Sequence, residues 1–227
     1  MNRPVITQPQ LAPVTHVDTQ LPAVQPDGLT VAAIRQRLAN RGGWTPEFTG
    51  DGARFTDRSP AGAAVLMPLV QRPDGLRLLL TRRTDHLRDH AGQISFPGGR
   101  TEPEDASPVE TALRETEEEV GLSRRHIDVV GALPIYATVT AFQVTPVVGV
   151  VTPPFTLAPD PAEVAEVFEV PLAFLMNPAH HRHHQFSFGG VERRFLSMPW
   201  AGPEREYFIW GATAAMLRNF YRLLSDG

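Results

Sequence analysis

The chain has 227 residues, of which 42% are apolar and 20% charged, and this suits one α/β domain with additional segments or at most two small domains. The formal net charge of −4 argues against a dedicated nucleic-acid-binding protein or a polybasic membrane-binding protein. There is no cysteine and no lysine, which excludes disulfides, thiol nucleophiles, Schiff-base chemistry and a lysine-dependent phosphate loop.

The same sequence predicts where the protein works. No apolar run approaches the roughly 18 residues of a membrane span. The N-terminal stretch MNRPVITQPQLAPVTH has no continuous apolar segment of the signal-peptide type. We therefore expect a cytoplasmic protein with neither a nucleic-acid partner nor a membrane partner.

The N-terminal part of the chain divides near residue 29. Residues 1–28 are rich in Pro, Gln, Thr and Val without periodicity, which predicts a flexible arm, although its Val and Leu residues would allow it to pack on a neighbouring surface. Thr30 is placed to cap a helix that runs through Asn40. Residues 29–60 are interpreted as this helix with its connecting segment, and residues 61–227 as the main domain.

The main segment predicts strands with helices between them. The stretches AAVLMPLV and LRLLLTRR read as two strands around a QRPDG turn, and VTPVVGVV as a strand buried on both faces. EVAEVFEVPLAFL predicts a strand followed by a short helix, FSFGGVERRFLSM a hairpin, EYFIW a strand, and residues 212–224 a closing helix. This mixture predicts a layered α/β/α domain.

An acidic helix follows the turn-forming stretch FPGGR. The segment SPVE, residues 107–110, is a capping box, and Gly121 stands where a helix would end. At about 100° per residue, one stripe of this helix is suited to face the core. The residues of that stripe are Val109, Leu113, Thr116 and Val120.

Three glutamates of the helix, Glu115, Glu118 and Glu119, share another face, with Arg114 at its border. Like charges at helical neighbour spacing repel each other. A hard divalent cation such as Mg²⁺ takes oxygen ligands, neutralises such a cluster and bridges to substrate phosphates. The alternative is a solvated acidic face with one Arg114 ion pair, and the helix alone does not decide between the two.

The stretch GGRTEPEDASPVETALRETEEEVGL resembles the Nudix box, G-x5-E-x7-R-E-U-x-E-E-x-G-U, where U is an aliphatic or similar residue. The second half matches position for position at Arg114, Glu115, Thr116, Glu118, Glu119, Gly121 and Leu122. The first half departs from the pattern, because one extra residue separates Gly99 from Arg114. With that residue placed before the helix, Gly99 serves as the box glycine and Asp105 follows after five residues, without an assigned role.

The preceding stretch LLTRRTDHLRDHAGQISFPGG is similar to the extended motif of the coenzyme A pyrophosphatase branch of the Nudix hydrolase family, and the resemblance covers about residues 61–217. It implies a Nudix-type α/β/α sandwich with a mixed sheet. It also implies a hydrolase that cuts the diphosphate linkage of coenzyme A or an acyl-CoA, a small-molecule nucleotide substrate. The implied products are adenosine 3',5'-bisphosphate and 4'-phosphopantetheine or its acyl form.

The resemblance also implies roles for the acidic helix. Glu115 and Glu119 are expected to bind Mg²⁺ or Mn²⁺, and Glu118 to be a third ligand or to help activate the attacking water. Arg114 is expected to orient Glu115 through an ion pair. The alternative general bases lie in the later acidic stretch and are Glu163, Glu166 and Glu169.

Further residues are expected to contact the substrate. Gly98 and Gly99 let the backbone approach closely, and a carbonyl there would complete the metal shell. Arg82, within LLTRR, either pairs with a substrate phosphate bidentately or forms a structural ion pair. His90 and Gln93 lie in the HAGQ turn, where they shape the pocket or contact the ligand.

Two other functions stay open at the level of the sequence. One is the same chemistry on ADP-ribose, a dinucleotide, NADH or a nucleoside triphosphate, and the other is a non-catalytic nucleotide-binding module. The extended motif disfavours the first, and the complete set of helix glutamates disfavours the second.

The HHRHH run places His180 and His184 four residues apart, which would suit a metal site on a helix. We do not interpret the run as a metal site, because it lacks helical periodicity. The sequence is compatible with a homodimer.

Overall fold

The computed structural model describes residues 6, 8–51, 59–86, 91–188 and 191–225. Within these residues the chain forms twelve strands. They are β1 (Val14–Val17), β2 (Ala61–Arg72), β3 (Gly75–Arg83), β4 (Ile94–Ser95), β5 (Gly98–Arg100), β6 (Ile127–Ala132), β7 (Tyr136–Ala137), β8 (Phe142–Val151), β9 (Val164–Pro171), β10 (Arg182–Phe188), β11 (Val191–Ala201) and β12 (Glu206–Trp210).

Four α-helices lie between or after these strands in the described part of the chain. They are α1 (Val31–Ala39), α2 (Pro108–Val120), α3 (Leu172–Leu175) and α4 (Gly211–Ser225). As predicted, Thr30 caps α1, since its hydroxyl accepts the N–H of Ala33. Over the described residues, no helix combines the length and the apolar character needed to cross a membrane.

The strands form two sheets. The smaller sheet is antiparallel, with the order β1-β10-β11-β12. The larger sheet has eight strands built on the path β4-β3-β2-β8-β6, to which β5, β7 and β9 are added. Its β2–β8 pair is parallel and its other pairs are antiparallel, so the sheet is mixed.

Helices cover both faces of the mixed sheet. Leu78 and Leu80 of β3 join a large core with residues of α1 and α4, whereas Leu79 packs in a second cluster with Val120 of α2. Consecutive residues of a strand point to opposite faces, so α2 lies on one face and α4 on the other. This confirms the predicted α/β/α layering with a mixed sheet.

The described part of the N-terminal segment, residues 6 and 8–28, contacts the rest of the molecule, whereas the sequence predicts a flexible arm over residues 1–28. Val14–Val17 pairs with β10, and Leu21, Val24 and Leu29 pack against the main core. The N–H of Val24 donates to the carbonyl of Met176 at 3.1 Å. Sequence periodicity missed this segment because its single short strand is an edge strand with little burial. The division of the chain into domains stays a prediction.

Candidate active site

The helix α2 forms as its sequence predicts. Ser107 caps its start by accepting the N–H of Glu110 at 3.3 Å, and Gly121 ends it in the left-handed conformation with φ 68°. Leu113, Thr116 and Val120 are buried on the core stripe. The polar Thr116 is accommodated because its hydroxyl donates to the carbonyl of Ala112 one turn earlier, at 2.6 Å.

Two of the three predicted glutamates point from α2 onto β5. Glu119 is only 6% exposed, and its Oε2 accepts the N–H of Gly98 at 3.1 Å. Burial raises the pKa of Glu119 to about 7, although the Gly98 N–H and the nearby Arg83 act in the opposite direction. Burial also raises the pKa of Glu115, one turn earlier, while Arg114 opposes that shift. The fold therefore holds two carboxylates in an environment that disfavours their ionised form.

The glycines of the FPGG stretch are needed for this close approach. A Cβ on Gly99 would stand 2.5 Å from the Glu115 carboxylate, nearer than real side-chain carbons come. Gly98 adopts φ 149°, and a Cβ there would meet the backbone of Ala64 and Val65 within about 2.5 Å. The structure thus brings Gly98 and Gly99 together with Glu115 and Glu119, as the sequence predicts.

Arg114 is fixed by a residue to which the sequence assigned no role. Its Nε and Nη2 donate to the two carboxylate oxygens of Asp105 at 3.0 and 2.9 Å. From this position Nη1 donates to Glu115 Oε1 at 3.1 Å, which is the predicted orienting ion pair, and to Glu118 Oε2 at 3.0 Å. Asp105 also accepts the Thr111 hydroxyl, and the Arg114 contact lowers its pKa. The carboxylate that follows the box glycine therefore positions Arg114.

Glu118 lies differently from its two neighbours. Its side chain is 59% exposed, and its described contact is the ion pair with Arg114. The expectation that three glutamates converge is therefore correct for Glu115 and Glu119 at β5, while Glu118 stands at the solvent-facing border. An exposed carboxylate at this border has access to water.

Arg83 lies at the site, although the sequence did not identify it as a site residue. Its Nη1 lies 3.5 Å from Glu119 Oε1, and its Nη2 lies 3.9 Å from Glu163 Oε2. The missed signal was strand alternation. The two arginines of LLTRR lie at consecutive positions of β3, so one faces α2 and the other faces away. Arg83 also places Glu163, one of the alternative bases, beside the site through its Nη2 contact.

Arg82 and Gln93 lie away from Glu115 and Glu119. Arg82 points to the α4 face of the sheet, where its Nη1 contacts Asp85 at 3.0 Å and its Nε lies 3.7 Å from Glu166. Both residues line a cavity together with residues of β12. His90, the other residue named in the HAGQ turn, lies outside the described residues.

The remaining candidates have structural partners. Glu169 forms a bidentate pair with Arg72, and Glu166 accepts the Tyr207 hydroxyl. His181 is buried between Arg218 and the carbonyl of Leu175, and His184 contacts the Ser197 hydroxyl and the carbonyl of Ala12. His180 stacks on the Phe174 ring. The HHRHH run therefore serves packing and hydrogen bonding.

The carboxylates of Glu115 and Glu119 are oxygen donors of the kind that a hard divalent cation prefers, although the side chains do not surround a common point as metal ligands do. Within the described residues, no group of three or more His, Asp and Glu side chains is arranged to enclose an ion. Glu115 and Glu119 nevertheless supply oxygen donors one helical turn apart beside the FPGG backbone. A cation there would favour the ionised carboxylates that burial disfavours. We conclude that the donor set fits Mg²⁺ or Mn²⁺.

Comparison with known proteins gives consistent matches. The NUDIX domain model matches residues 60–188. A Yersinia enterocolitica protein named Uncharacterized Nudix hydrolase NudL is 46% identical over 157 residues, which cover 69% of this chain and 78% of that protein. The protein of the same name from Escherichia coli K12 is 43% identical over 157 residues, covering 69% and 79%.

Solved structures with a similar fold are more distant in sequence. The Nudix hydrolase RenU from M. smegmatis has a TM-score of 0.44 at 24% identity, covering 57% of this chain and 81% of that chain. The binary complex of a C. elegans Ap4A hydrolase has a TM-score of 0.43 at 18% identity, covering 52% and 85%. The domain match spans more than half of the chain, and it contains the helix, the glycines and the carboxylates described above. The chain belongs to the Nudix hydrolase family.

Proposed function

We propose that this Nudix hydrolase cleaves the diphosphate linkage of coenzyme A or an acyl-CoA. Members of the family use divalent ions such as Mg²⁺ or Mn²⁺ and act on small-molecule nucleotide substrates, and this chain hydrolyses a nucleoside diphosphate derivative. Two contacts of Glu119 support the finer proposal. Glu119 of the box is reached by the Gly98 N–H of FPGG and by the Arg83 guanidinium of LLTRR. The motif that resembles the coenzyme A branch and the box thus form one site.

We assign cation binding to Glu115 and Glu119, with Glu118 at the border. A divalent ion bound there would supply Lewis-acid polarisation of the phosphoryl oxygens and charge neutralisation. Arg114, held by Asp105, keeps the Glu115 carboxylate in place before substrate arrives. Gly98 does the same for Glu119 through its backbone N–H. Such fixed positions reduce the reorganisation required in the transition state.

We assign proton transfer from the attacking water to an exposed carboxylate at the site. Glu118 is the first candidate because its side chain is 59% exposed and is held by Arg114. Glu163 is the second, since its side chain is 48% exposed and lies near Arg83. Water attacks a phosphorus of the diphosphate, the P–O–P bond breaks, and no covalent enzyme intermediate is required.

A substrate panel tests this proposal. The purified protein would be incubated with coenzyme A, acetyl-CoA, ADP-ribose, NADH and a dinucleoside polyphosphate at equal concentration, with Mg²⁺ and with Mn²⁺. We expect the kcat/KM for coenzyme A or acetyl-CoA to exceed that of each other substrate by at least about tenfold, the change produced by 1.4 kcal/mol of transition-state binding. A higher kcat/KM for ADP-ribose or NADH would overturn the coenzyme A assignment, and turnover of none would favour a binding module.

The choice of base is tested separately. If Glu118 is the base, Glu118→Gln lowers kcat on the order of 100-fold, the lower range for a general base, and Glu163→Gln stays near the wild-type value. The reverse pattern would assign the proton transfer to Glu163. Both variants change exposed side chains, so thermal unfolding of each is expected to match that of the wild type.

A further inference from the structure

The guanidinium of Arg83 lies between two carboxylates that belong to different elements. Its Nη1 is 3.5 Å from Glu119 Oε1 on α2, and its Nη2 is 3.9 Å from Oε2 of Glu163, the residue before β9. Both distances exceed those of ordinary hydrogen bonds, so the guanidinium acts on these carboxylates chiefly through its charge. A positive charge of the chain itself therefore stands beside the carboxylate to which we assign cation binding.

The backbone around Arg83 holds the guanidinium in this place. The N–H of Arg83 donates to the carbonyl of Gln93 at 2.9 Å, and the N–H of Thr84 donates to the carbonyl of Glu163 at 2.9 Å. Between Arg82 and Arg83 the pairing of β3 with β9 shifts register, an irregularity of the kind that re-aims a side chain near an active site. The fold therefore fixes the end of β3 relative to Glu163.

The two carboxylate oxygens of Glu119 have different neighbours. Oε2 accepts the N–H of Gly98, whereas Oε1 faces Arg83. A divalent ion bound through Oε1 would therefore be a near neighbour of the guanidinium. A charge of one unit and a charge of two units a few ångströms apart repel each other enough, even at the dielectric constant of water, to change an equilibrium constant about tenfold.

We propose that Arg83 is a built-in counter-charge of the carboxylate site, which competes with the divalent ion for Glu119 and so lowers the affinity of the free protein for that ion. This inference rests on the cation assignment within the proposed function, and it does not depend on which diphosphate is cleaved. Before an ion binds, Arg83 keeps the carboxylates of Glu119 and Glu163 together. Its charge also makes occupancy of the site depend more steeply on a sufficient ion concentration, because the ion has to overcome the repulsion.

Binding of Mn²⁺ to the full chain without substrate tests the proposal independently of turnover. Its dissociation constant would be measured under argon at pH 8.5, above the pKa of Glu119 of about 7, with free Mn²⁺ followed by electron paramagnetic resonance. We expect Arg83→Gln and Arg83→Met, which both remove the charge, to bind Mn²⁺ about tenfold more tightly than the wild type. Arg83→Lys keeps the charge and should bind as the wild type does. Arg182→Gln is the matched control, because it makes the same change of net charge at an exposed position of β10.

The outcomes separate the role of Arg83 from the cation assignment itself. Tighter binding by Arg83→Gln and Arg83→Met would support the proposal, because loss of a merely structural residue would weaken binding. Unchanged or weaker binding by these variants would overturn it, even if the wild type binds Mn²⁺ and cleaves coenzyme A. Equal tightening by Arg182→Gln or by Arg83→Lys would also overturn it, since the effect would then not come from the charge at this place. Wild-type affinity of Glu119→Gln would overturn the assignment of the ion to Glu119, and this inference with it.

Discussion

Glu119 occupies a position that the fold alone does not favour. It is buried at 6% exposure beside a second carboxylate, Glu115, and receives one backbone N–H and a guanidinium at 3.5 Å. Its pKa of about 7 shows that burial outweighs these contacts. A residue that costs stability in the cation-free protein is the kind of residue that a functional site retains.

Glu119→Gln tests separately how Glu119 affects stability and how it affects catalysis. The folded-state pKa is raised, so the favourable effect of this group on stability is present below its unfolded value and is lost as the pH rises through about 7. At pH 8 without divalent ions, the glutamine variant should therefore unfold at the same or a higher temperature than the wild type. Its kcat at saturating metal should fall by at least about 100-fold, since even outer-shell changes cost roughly 10–100-fold. A stable variant with near-normal kcat would remove Glu119 from the metal site.

Asp105→Asn tests whether the Arg114 contact positions the site. Loss of the bidentate ion pair loosens Arg114, and with it Glu115 and Glu118. We expect kcat to fall about tenfold with little change in KM, as for other outer-shell partners. Glu110→Gln is the control on the same helix, because Glu110 pairs with Arg124 away from the site. Equal kcat values for the two variants would contradict a positioning role for Asp105.

At the scale of single residues, the sequence predicted the site residues that belong to the Nudix box. It missed Arg83, because the direction of that side chain depends on the register of β3. Glu115, Glu119 and the Arg114 ion pair follow from helix geometry and a specific motif. The choice between Arg82 and Arg83 depends on which face of β3 meets α2, and a shift of one residue reverses that choice. The sequence singled out Asp105 without giving it a role. Its pairing with Arg114 became visible only from the three-dimensional path of the loop before α2.

At the scale of elements, the site is the junction of α2 with β5. The strand is only three residues long, Gly98–Arg100, and it pairs with β2, whereas β4 pairs with β3. This insertion separates β2 from β3 beside the helix, so backbone groups of FPGG reach the glutamates. α2 itself was predictable from its caps and its apolar stripe, whereas strands of two or three residues give no periodic signal.

Gly99→Ala tests the closeness of this junction. A methyl group at Gly99 would stand 2.5 Å from the Glu115 carboxylate, so the carboxylate has to move. Displacement by about 1 Å can cost on the order of 100-fold in rate, and we expect a loss of this size in kcat/KM. Gly42→Ala, where a Cβ meets nothing within 4 Å, serves as the control and should keep wild-type activity. An active Gly99→Ala enzyme would show that Glu115 does not need its observed position.

At the scale of the whole molecule, a buried polar network joins the N-terminal segment to the closing helix. Arg218 of α4 is 1% exposed and contacts Asp18, Glu47 and His181 at 2.8–3.0 Å. An arginine can only donate, so His181 accepts through Nδ1 and donates from Nε2 to the carbonyl of Leu175. His181 is therefore neutral in the folded protein.

The predicted cytoplasmic location and homodimer stay predictions.

The network predicts a specific dependence of stability on pH. Burial lowers the pKa of His181 to about 4 in the folded state, against about 6.5 when it is unfolded. Its contribution is fully present above pH 6.5 and is lost as the pH falls through 4, because the unfolded chain takes up the proton first. Between pH 7.5 and pH 5, this group should reduce the free energy of unfolding by about 2 kcal/mol. His181→Gln should lose less stability than the wild type over this range in urea unfolding, and parallel curves would contradict a neutral buried His181.

We propose that the carboxylate site of α2 cleaves the diphosphate of coenzyme A. The most direct test is to incubate the wild type and Glu119→Gln with coenzyme A and Mg²⁺ or Mn²⁺, and to identify the products by mass. We predict adenosine 3',5'-bisphosphate and 4'-phosphopantetheine from the wild type, and neither above background from the variant. Intact coenzyme A with the wild type would contradict cleavage of coenzyme A, and the same products from the variant at the same rate would contradict the role of Glu119.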